Sequence, residues 1–187
     1  MNKWNKRYSA LNCADARPAS VLKDLAYFLP DKGKALDIAC GLGGNAIFMA
    51  KRGLNVAALD ASKVAIEKLN VYCAEQSLSI SAQLKDVEKE GLSSEQFDVI
   101  TVSYFLYQPL MLTILKALAP QGLLFYQTWT QQKITDKGPS NPDFLLAPQA
   151  LRHLADDLEI LFYQESGLVG DTRQGFRNEA MLVARNA

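Results

Sequence analysis

Short apolar runs alternate with segments of helical spacing along nearly the whole chain. Seven apolar runs have the length of strands, namely residues 34–39, 55–60, 80–86, 97–105, 122–129, 158–166 and 179–185. Five further segments have the spacing of helices, namely residues 19–29, 44–52, 62–76, 108–118 and 147–155. Alternation of strands and helices is typical of a protein built around a parallel sheet. We therefore predict the α/β fold class.

The connections between the apolar runs predict the direction of each strand. A crossover separates each of the first five strands from the next, so these strands should run parallel, with both faces of the sheet covered. Only "GLVGDTRQGFRN" separates the sixth run from the seventh. This hairpin-like link predicts that the seventh strand runs antiparallel to the sixth.

Composition and charge narrow the class of protein. The 187 residues, 49% of them hydrophobic, suit a single domain over residues 1–187. Twenty basic residues balance twenty acidic ones, so the overall charge indicates no duplex nucleic acid partner. No apolar stretch approaches the roughly 20 residues that span a bilayer, and the amino terminus lacks the apolar core of a signal peptide. We expect a cytoplasmic protein with no membrane partner.

The cysteines and the single histidine limit the available chemistry. Cys13, Cys40 and Cys73 form no Cys-x-x-Cys pair, which fits a reducing compartment better than a disulfide framework or a zinc site. His153 is the only histidine, so a histidine-rich metal centre is excluded, and no G-x-S-x-G elbow accompanies it. We expect no metal site, and we expect His153 to lie on the surface.

A glycine turn follows the first predicted strand in "ALDIACGLGGNAIFMAKRG", residues 35–53. In an open parallel sheet the ligand lies beyond the carboxyl ends of the strands, close to this turn. Gly41 and Gly43 allow positive φ and a close approach of the backbone, and the next helix directs its free N–H groups to the same place. The same spacing also matches the dinucleotide pattern G-x-G-x-x-A. The turn alone therefore leaves the ligand open.

Asp37 is an acid inside the apolar run that precedes the turn. A buried carboxylate costs on the order of several kcal/mol unless something pairs with it. A ligand with an ammonium group would be held there, whereas a pyrophosphate would be repelled. Alternatively, nearby backbone amides satisfy Asp37 without any ligand.

Two more acids end the next two predicted strands. Asp60 stands where a carboxylate can accept both hydroxyls of a ribose. Asp86 can accept from the exocyclic amine of an adenine, with Val87 beside it offering an apolar contact and a backbone N–H. Either acid alone could be an ordinary solvated residue. Three acids at successive strand ends, with a glycine turn after the first, fit an adenosine attached to an amino acid.

On these residues the chain resembles the class I S-adenosylmethionine-dependent methyltransferases. "LDIACGLGGNAIFMAKRG" resembles the first motif of the family, Asp60 its ribose-binding acid and Asp86 its adenine-binding acid, while "FDVITVSYFL" and "LKALAPQGLLFYQTW" resemble its fourth and fifth strands. The segments "WNKRY", "ACGLGGNA" and "LLAPQALRHLA" look most like the small bacterial tellurite-resistance group within that family.

The resemblance implies a fold, a cofactor and a set of contacts. The implied fold is a Rossmann-like three-layer sandwich with a mostly parallel seven-stranded sheet in the order 3-2-1-4-5-7-6, the last strand antiparallel. The implied cofactor is S-adenosyl-L-methionine. The implied cofactor-binding residues are Asp37, Ala39, Gly41, Gly43, Asn45, Asp60, Ala61, Asp86, Val87 and Ser103.

The methyl acceptor is expected to be a small molecule. A sulfonium is a reactive methyl donor, so the protein mainly has to hold a nucleophile in line and exclude water. A thiolate, a chalcogen oxyanion or another small anion would need no general base. Tyr8, Ser103, Tyr104 and Tyr107 are candidates to line the acceptor side, and of these Tyr8 and Tyr104 are the predicted catalytic residues. Tyr104 and Tyr107 could equally be packing aromatics. The sequence after the fourth strand, "SYFLYQP", lacks the Asn-Pro-Pro-Tyr of amino-group methyltransferases.

Two segments and one arginine complete the predicted site. Residues 1–30 are expected to form a helical cap over the cofactor, and residues 130–146, a long loop with a Gly-Pro pair, are a candidate substrate loop. Arg177 is a predicted catalytic residue that would grip a small anion through its guanidinium fork. Solvated surface charge is the alternative for Arg177. Relatives of the tellurite group often carry histidine in this turn, so the resemblance does not carry over a substrate.

Two other functions stay open at the level of sequence. An NAD-dependent reductase is favoured by the G-x-G-x-x-A match and disfavoured by Asp37 and by the lack of a Tyr-x-x-x-Lys pair. A non-catalytic S-adenosylmethionine-binding module is the second. The sequence predicts no oligomeric state.

Overall fold

The computed structural model describes residues 3–187, in which seven strands form one sheet. The strands are β1 (Gly33–Ile38), β2 (Leu54–Asp60), β3 (Ile80–Leu84), β4 (Phe97–Ser103), β5 (Leu118–Trp129), β6 (Glu159–Glu165) and β7 (Glu179–Arg185). Their order in the sheet is β3-β2-β1-β4-β5-β7-β6, which is the order that the family resemblance implied.

The direction of the strands confirms the prediction made from the connections. β1 pairs in parallel with β2 and β4, β2 with β3, and β4 with β5. β7 is antiparallel to both of its neighbours, β5 and β6. The short link before β7 allows only this direction, because a parallel return needs a crossover.

Helices cover both faces of the sheet and produce the three layers. Alternate strand residues serve the two faces, so Ala35 belongs to one buried cluster and Leu36 to the other. The helices are α1 (Lys3–Ser9), α2 (Ser20–Asp24), α3 (Gly44–Ala50), α4 (Lys63–Gln76), α5 (Val87–Glu90), α6 (Met111–Lys116) and α7 (Ala150–Leu154). The first face carries α2, α3 and α4, and the second carries α5, α6 and α7.

Several predicted elements are shorter in the structure than their apolar spacing indicated. The helix predicted over residues 19–29 ends at Asp24 and gives way to a 3₁₀ turn at Ala26–Phe28. The helix predicted over 108–118 begins as a 3₁₀ turn containing Pro109, and β5 already starts at Leu118. Proline at the second position of that turn fits a helix start and not a helix interior.

The third strand ends before the acid that was expected to close it. β3 stops at Leu84, and Asp86 instead begins α5, which the sequence did not predict. The carbonyl of Asp86 accepts from the amides of Lys89 and Glu90, at 3.0 and 2.8 Å, so the chain turns into a helix at this residue.

The surface expectation for His153 is confirmed, since it is exposed on α7. No helix in the described part of the chain combines the length and the apolar character that crossing a bilayer requires. The expected cytoplasmic location stays a prediction.

Candidate functional site

Seven strand ends lie at one edge of the sheet. The strands β1 to β6 end at this edge, and β7 begins there because it runs antiparallel, with Glu179 opposite Trp129. The glycine turn, defined here as residues 39–44, follows β1 between the ends of β2 and β4. Ligands of open α/β sheets bind beyond the strand ends at such a place, where the order of the strands reverses.

Asp37 is fully buried in β1 and accepts three hydrogen bonds from the protein itself. The donors are Thr101 Oγ1 at 2.9 Å, the amide of Ala46 at 3.1 Å and Asn45 Nδ2 at 3.3 Å. Burial raises the pKa of Asp37 to about 7, and these three hydrogen bonds oppose the shift. Internal donors therefore hold the carboxylate, as in the ligand-free alternative, and its contact with a ligand ammonium stays a prediction.

Asp60, the last residue of β2, holds the glycine turn in place. Its Oδ2 accepts from the amide of Gly41 at 2.8 Å, and its Oδ1 accepts from the amide of Ser62 at 2.7 Å. Burial raises the pKa of Asp60, while the two amides lower it. Each carboxylate oxygen keeps lone-pair capacity after one such bond. The pair of oxygens therefore suits two neighbouring hydroxyl donors.

The two glycines predicted for the turn occupy left-handed backbone conformations. Gly41 has φ +54° and Gly43 has φ +80°. A Cβ at Gly41 would lie 2.7 Å from the Tyr8 hydroxyl oxygen, and a Cβ at Gly43 would lie 2.5 Å from Leu69. The turn thus requires glycine both for its φ angles and for close packing.

The amino-terminal segment packs over the glycine turn. Tyr8, on α1, places its phenol beside Gly41, and burial followed by the negative charge of Asp60 raises its pKa to about 12. Lys68 on α4 donates to the carbonyls of Tyr8, Ser9 and Leu11, at 3.0, 2.7 and 2.7 Å. A protonated phenol beside the turn can donate a hydrogen bond, but it is not a base at neutral pH.

Asn45 connects the turn to the neighbouring strand. Its Nδ2 donates to Ser103 Oγ at 3.0 Å as well as to Asp37, and its Oδ1 accepts from the amide of Ala19 at 2.9 Å. Two predicted cofactor residues, Asn45 and Ser103, are therefore in direct contact, and Ser103 is the last residue of β4.

The remaining predicted cofactor residues lie along the same edge in different surroundings. Asp86 is partly exposed, and an ion pair with Lys89 at 2.7 Å lowers its pKa. Val87 is buried beneath it in the second core cluster. Ala39, with φ +55°, directly follows β1, and Ala61 directly follows β2. The expected contacts of these four residues with adenosine stay predictions.

A second polar cluster lies at the other end of the edge and consists of Tyr104, Gln127 and Glu179. Gln127 Nε2 donates to the Tyr104 hydroxyl at 3.1 Å and to Glu179 Oε2 at 2.5 Å. Gln127 Oε1 accepts from the amide of Val21 at 2.8 Å, and the residue is 1% exposed. Tyr104 is 48% exposed, and burial followed by the negative charge of Glu179 raises the pKa of its phenol. We call these three residues the acceptor cluster.

The long loop expected to cover the substrate contacts this part of the site. A Cβ at Gly138 would lie 2.5 Å from the Trp129 ring, and the Tyr104 ring lies 5.4 Å from that of Trp129. Asn178 Oδ1 accepts from the amide of Ile134 at 2.7 Å. The loop is thereby joined to the end of β5 and to the start of β7.

Arg177 is occupied by its own loop in this structure. Its guanidinium donates to the carbonyls of Ser166, Gly167, Val169, Asp171 and Gln174 at distances from 2.6 to 3.1 Å. An anion would have to displace some of these carbonyls to reach the guanidinium fork. The role of Arg177 in binding an anion stays a prediction. Its hydrogen bonds to the loop carbonyls are a structural reason for an arginine at this position, whether or not an anion binds.

Tyr107, a candidate for the acceptor side, packs against the second core cluster, as expected of the alternative in which it is a packing aromatic.

Gln127 and Glu179 were not identified from the sequence. Gln127 stands in the apolar run "GLLFYQTW" in the same way as Asp37 stands in "ALDIA". A polar residue inside a buried strand was the signal that could have found it, but nothing local indicates its contact with Glu179.

Solved structures show which class of protein has this fold. TehB from Haemophilus influenzae superimposes with a TM-score of 0.73 at 23% identity, over 99% of this chain and 68% of that one. Coclaurine N-methyltransferase bound to N-methylheliamine and SAH superimposes with a TM-score of 0.63 at 18% identity, over 78% of this chain and 49% of that one. At these identities the likeness establishes the Rossmann-like methyltransferase fold.

The sequence comparison extends from the fold to the family. Residues 13–169 match the family described as a methyltransferase domain, and the chain belongs to that family. This match agrees with the class that the sequence resemblance implied, the S-adenosylmethionine-dependent methyltransferases. A ubiquinone biosynthesis O-methyltransferase of Coxiella burnetii (strain Dugway 5J108-111) is 31% identical over 103 residues, 52% of this chain and 44% of that protein. One of Rickettsia canadensis (strain McKiel) is 27% identical over 142 residues, 71% of this chain and 60% of that protein. The chain thus spans about half the length of the curated relatives it matches.

Proposed function

We propose that the chain transfers the methyl group of S-adenosylmethionine to a small-molecule acceptor. The observation that carries this proposal is the glycine turn held by Asp60, whose two carboxylate oxygens each accept one backbone amide. The remaining lone pairs suit two ribose hydroxyls. The chemistry of the donor set therefore fits the nucleoside part of the cofactor.

We assign the other residues at this edge of the sheet to parts of the cofactor in the same way, by the groups that each residue can bind. Gly41 and Gly43 let the backbone approach the cofactor, and the Asn45 and Ser103 side chains face its amino-acid part beside Asp37. Asp86 and Val87 serve the adenine. When bound, the cofactor supplies a methyl group on a positively charged sulfur, and the chain's residues orient it and keep water away.

The amino-terminal segment and the long loop complete the proposal as covers of the site. Tyr8 over Gly41 supports a cap formed by the segment up to residue 30. Contact of Lys3 with the rings of Trp4 and Phe144, at 5.1 and 5.6 Å, brings α1 to the loop of residues 130–146. A cover made of both pieces would exclude water from the transfer.

The acceptor is an electron-rich oxygen or sulfur on a small molecule. A thiol, a chalcogen oxyanion or another small anion follows from the resemblance to the tellurite group. Oxygen as the attacking atom is supported by the name O-methyltransferase that the curated relatives carry. No sequence or structural feature of the site calls for duplex nucleic acid.

Thermal unfolding with each cofactor tests the proposal against the reductase alternative. S-adenosylmethionine and S-adenosylhomocysteine should raise the Tm, while NAD and NADH should leave it unchanged. Stabilisation by NADH alone would overturn the proposal. Tight S-adenosylmethionine binding without methyl transfer to any acceptor would favour the non-catalytic binding module.

A further inference from the structure

We propose that Glu179 accepts the proton of the methyl acceptor, and that the acceptor attacks through a neutral phenolic hydroxyl and not as a preformed anion. The inference rests on the proposed function, because it names the acceptor class of that same site. It is carried by the geometry of the acceptor cluster, by the strained backbone at Tyr104 and by the charges around Glu179.

The orientation of Gln127 is determined by the fold. Its Oε1 accepts from the amide of Val21 at the start of α2, so its Nε2 must point the other way, towards Tyr104 and Glu179. Both Nε2 hydrogens are then used, one for each partner. Gln127 therefore acts as a fixed donor pair that holds the other two side chains.

This orientation determines the direction of the next hydrogen bond. The Tyr104 oxygen accepts from Gln127, so its own hydrogen is free to be donated to Glu179. Glu179 thus accepts from Gln127 and has the Tyr104 hydroxyl beside it, both of which favour its carboxylate form, and it keeps lone pairs for a further donor. A hydroxyl group of a bound acceptor is the donor that this remaining capacity suits.

Tyr104 has a strained backbone conformation. It follows β4 with φ +56°, a left-handed conformation that is uncommon for an aromatic residue. Its amide donates to the carbonyl of Gln127 at 2.8 Å, which holds that conformation. Backbone strain of this kind concentrates at functional sites. The partly exposed ring, together with that of Trp129, offers an aromatic wall to a flat ligand.

The charges around Glu179 suit a proton acceptor. Burial raises the pKa of Glu179, whereas hydrogen bonds from Gln127 and Tyr104 and the positive charge of Lys137 lower it. These groups face Glu179 from β5, from the end of β4 and from the long loop. A half-buried carboxylate repels a small anion, so it favours an acceptor that arrives neutral and loses its proton at the site.

The proposed step balances without any further reactant. The phenolic oxygen forms a bond to the methyl carbon while the bond from that carbon to sulfur breaks and its electron pair returns to the sulfur. The phenolic proton passes to the Glu179 carboxylate and later to solvent. The products are the methyl ether and S-adenosylhomocysteine.

The experiment compares the parent with Glu179→Gln and with a matched control, Glu159→Gln. Glu159 lies at the far end of β6 in a surface ion pair with Arg185, so the same change there should alter neither binding nor turnover. Phenol, catechol and 4-hydroxybenzoate are the hydroxyl acceptors, 2-mercaptoethanol the thiol and selenite the oxyanion. Release of S-adenosylhomocysteine is measured against pH, and cofactor affinity is measured by calorimetry.

We expect a phenol to be the best acceptor and Glu179→Gln to lower kcat by about 10²- to 10⁴-fold. Cofactor affinity should stay within about twofold, and the fall in rate at low pH should disappear. Tyr104→Phe removes one donor to Glu179 and should move that fall to higher pH. A second readout needs no turnover: carbon-13 NMR of glutamate-labelled protein should show Glu179 titrating above the usual value of about 4.3.

An ordinary Glu179 pKa, or an unchanged pH profile in Glu179→Gln, would overturn the inference. Selenite or the thiol as the only working acceptor would overturn it as well, as would cofactor binding without turnover of any phenol. Failure of the proposed function is distinguishable, since the parent protein would then bind no S-adenosylmethionine.

Discussion

The two halves of the candidate site are built in different ways. On the side of β1 and β2, carboxylates are held mainly by backbone amides of nearby turns, as Asp60 is by Gly41 and Ser62. On the side of β5 and β7, side chains hold one another across the fold, as Gln127 holds Tyr104 and Glu179. The hydrogen bonds of Asp60 join residues 2 and 19 positions apart, whereas those of Gln127 join residues up to 106 positions apart, from Val21 to Gln127.

This difference suits the two ligands of the proposed function. The nucleoside of the proposed cofactor has neighbouring hydroxyls, which carboxylates and amides of a tight turn after a strand can bind. The proposed acceptor is a separate molecule, and side chains at several strand ends can be fitted to it without disturbing the turn. The comparison predicts that substitutions in the first half affect stability and cofactor affinity, and that those in the second affect turnover.

The largest effect is expected from Asp37→Ala, because the buried amide of Ala46 would lose the carboxylate that accepts its hydrogen bond. Thr101 and Asn45 would each lose one partner and keep another. We expect a loss of about 3–5 kcal/mol in the free energy of unfolding, from unpaired groups and the cavity together. Urea unfolding measures it, with Asp156→Ala, exposed in the turn after α7, as control. A loss equal to that of the control would mean that the network adds nothing.

The pH dependence of the free energy of unfolding also tests the burial of Asp37. Burial raises the pKa of Asp37 from 3.8 to about 7, so the folded state holds its proton more tightly than the unfolded state. The resulting stabilisation is complete below about pH 4 and is lost as pH rises through about 7, a change on the order of 4 kcal/mol. Asp37→Asn should flatten this part of the curve. Equal slopes for parent and variant between pH 4 and 7 would contradict the assignment.

Asp60→Ala tests the β1–β2 side of the site through the affinity for the cofactor. Hydrogen bonds from hydroxyls to a carboxylate contribute about 1.5–3 kcal/mol each, so affinity for S-adenosylmethionine should fall at least about tenfold. Calorimetry measures the Kd, and circular dichroism checks that the variant is folded. Unchanged affinity in a folded variant would remove Asp60 from the cofactor site.

Asp86→Ala should have the smallest effect on cofactor affinity, a loss of about two- to fivefold. A single amine hydrogen bond is at stake, and the carboxylate is partly exposed beside Lys89. The same calorimetric titration serves as the measurement, with Lys89→Ala as the matched control for the ion pair. A loss greater than that of Asp60→Ala would reverse the ranking of the two anchors.

Sequence patterns predicted the sheet well because its inner strands are largely buried on both faces. Such strands appear as continuous apolar runs, and the short link before β7 leaves only an antiparallel return. Helix bounds were less accurate, because apolar spacing continues through 3₁₀ turns such as Ala26–Phe28 without marking the change. The α5 helix was missed because its four residues are too few to show a period.

The sequence by itself determined the α/β class, the family, the glycine turn and the acids that surround it, because each depends on residues close together in the chain. The tertiary structure decided what these groups touch. It buried Asp37 against Thr101, and it moved Asp86 out of β3. It directed the Arg177 guanidinium to backbone carbonyls such as that of Val169. It also brought Gln127 into contact with Glu179 across the β5–β7 pair. Hydrogen-bond partners across a sheet depend on strand order and register, which no local stretch of sequence contains.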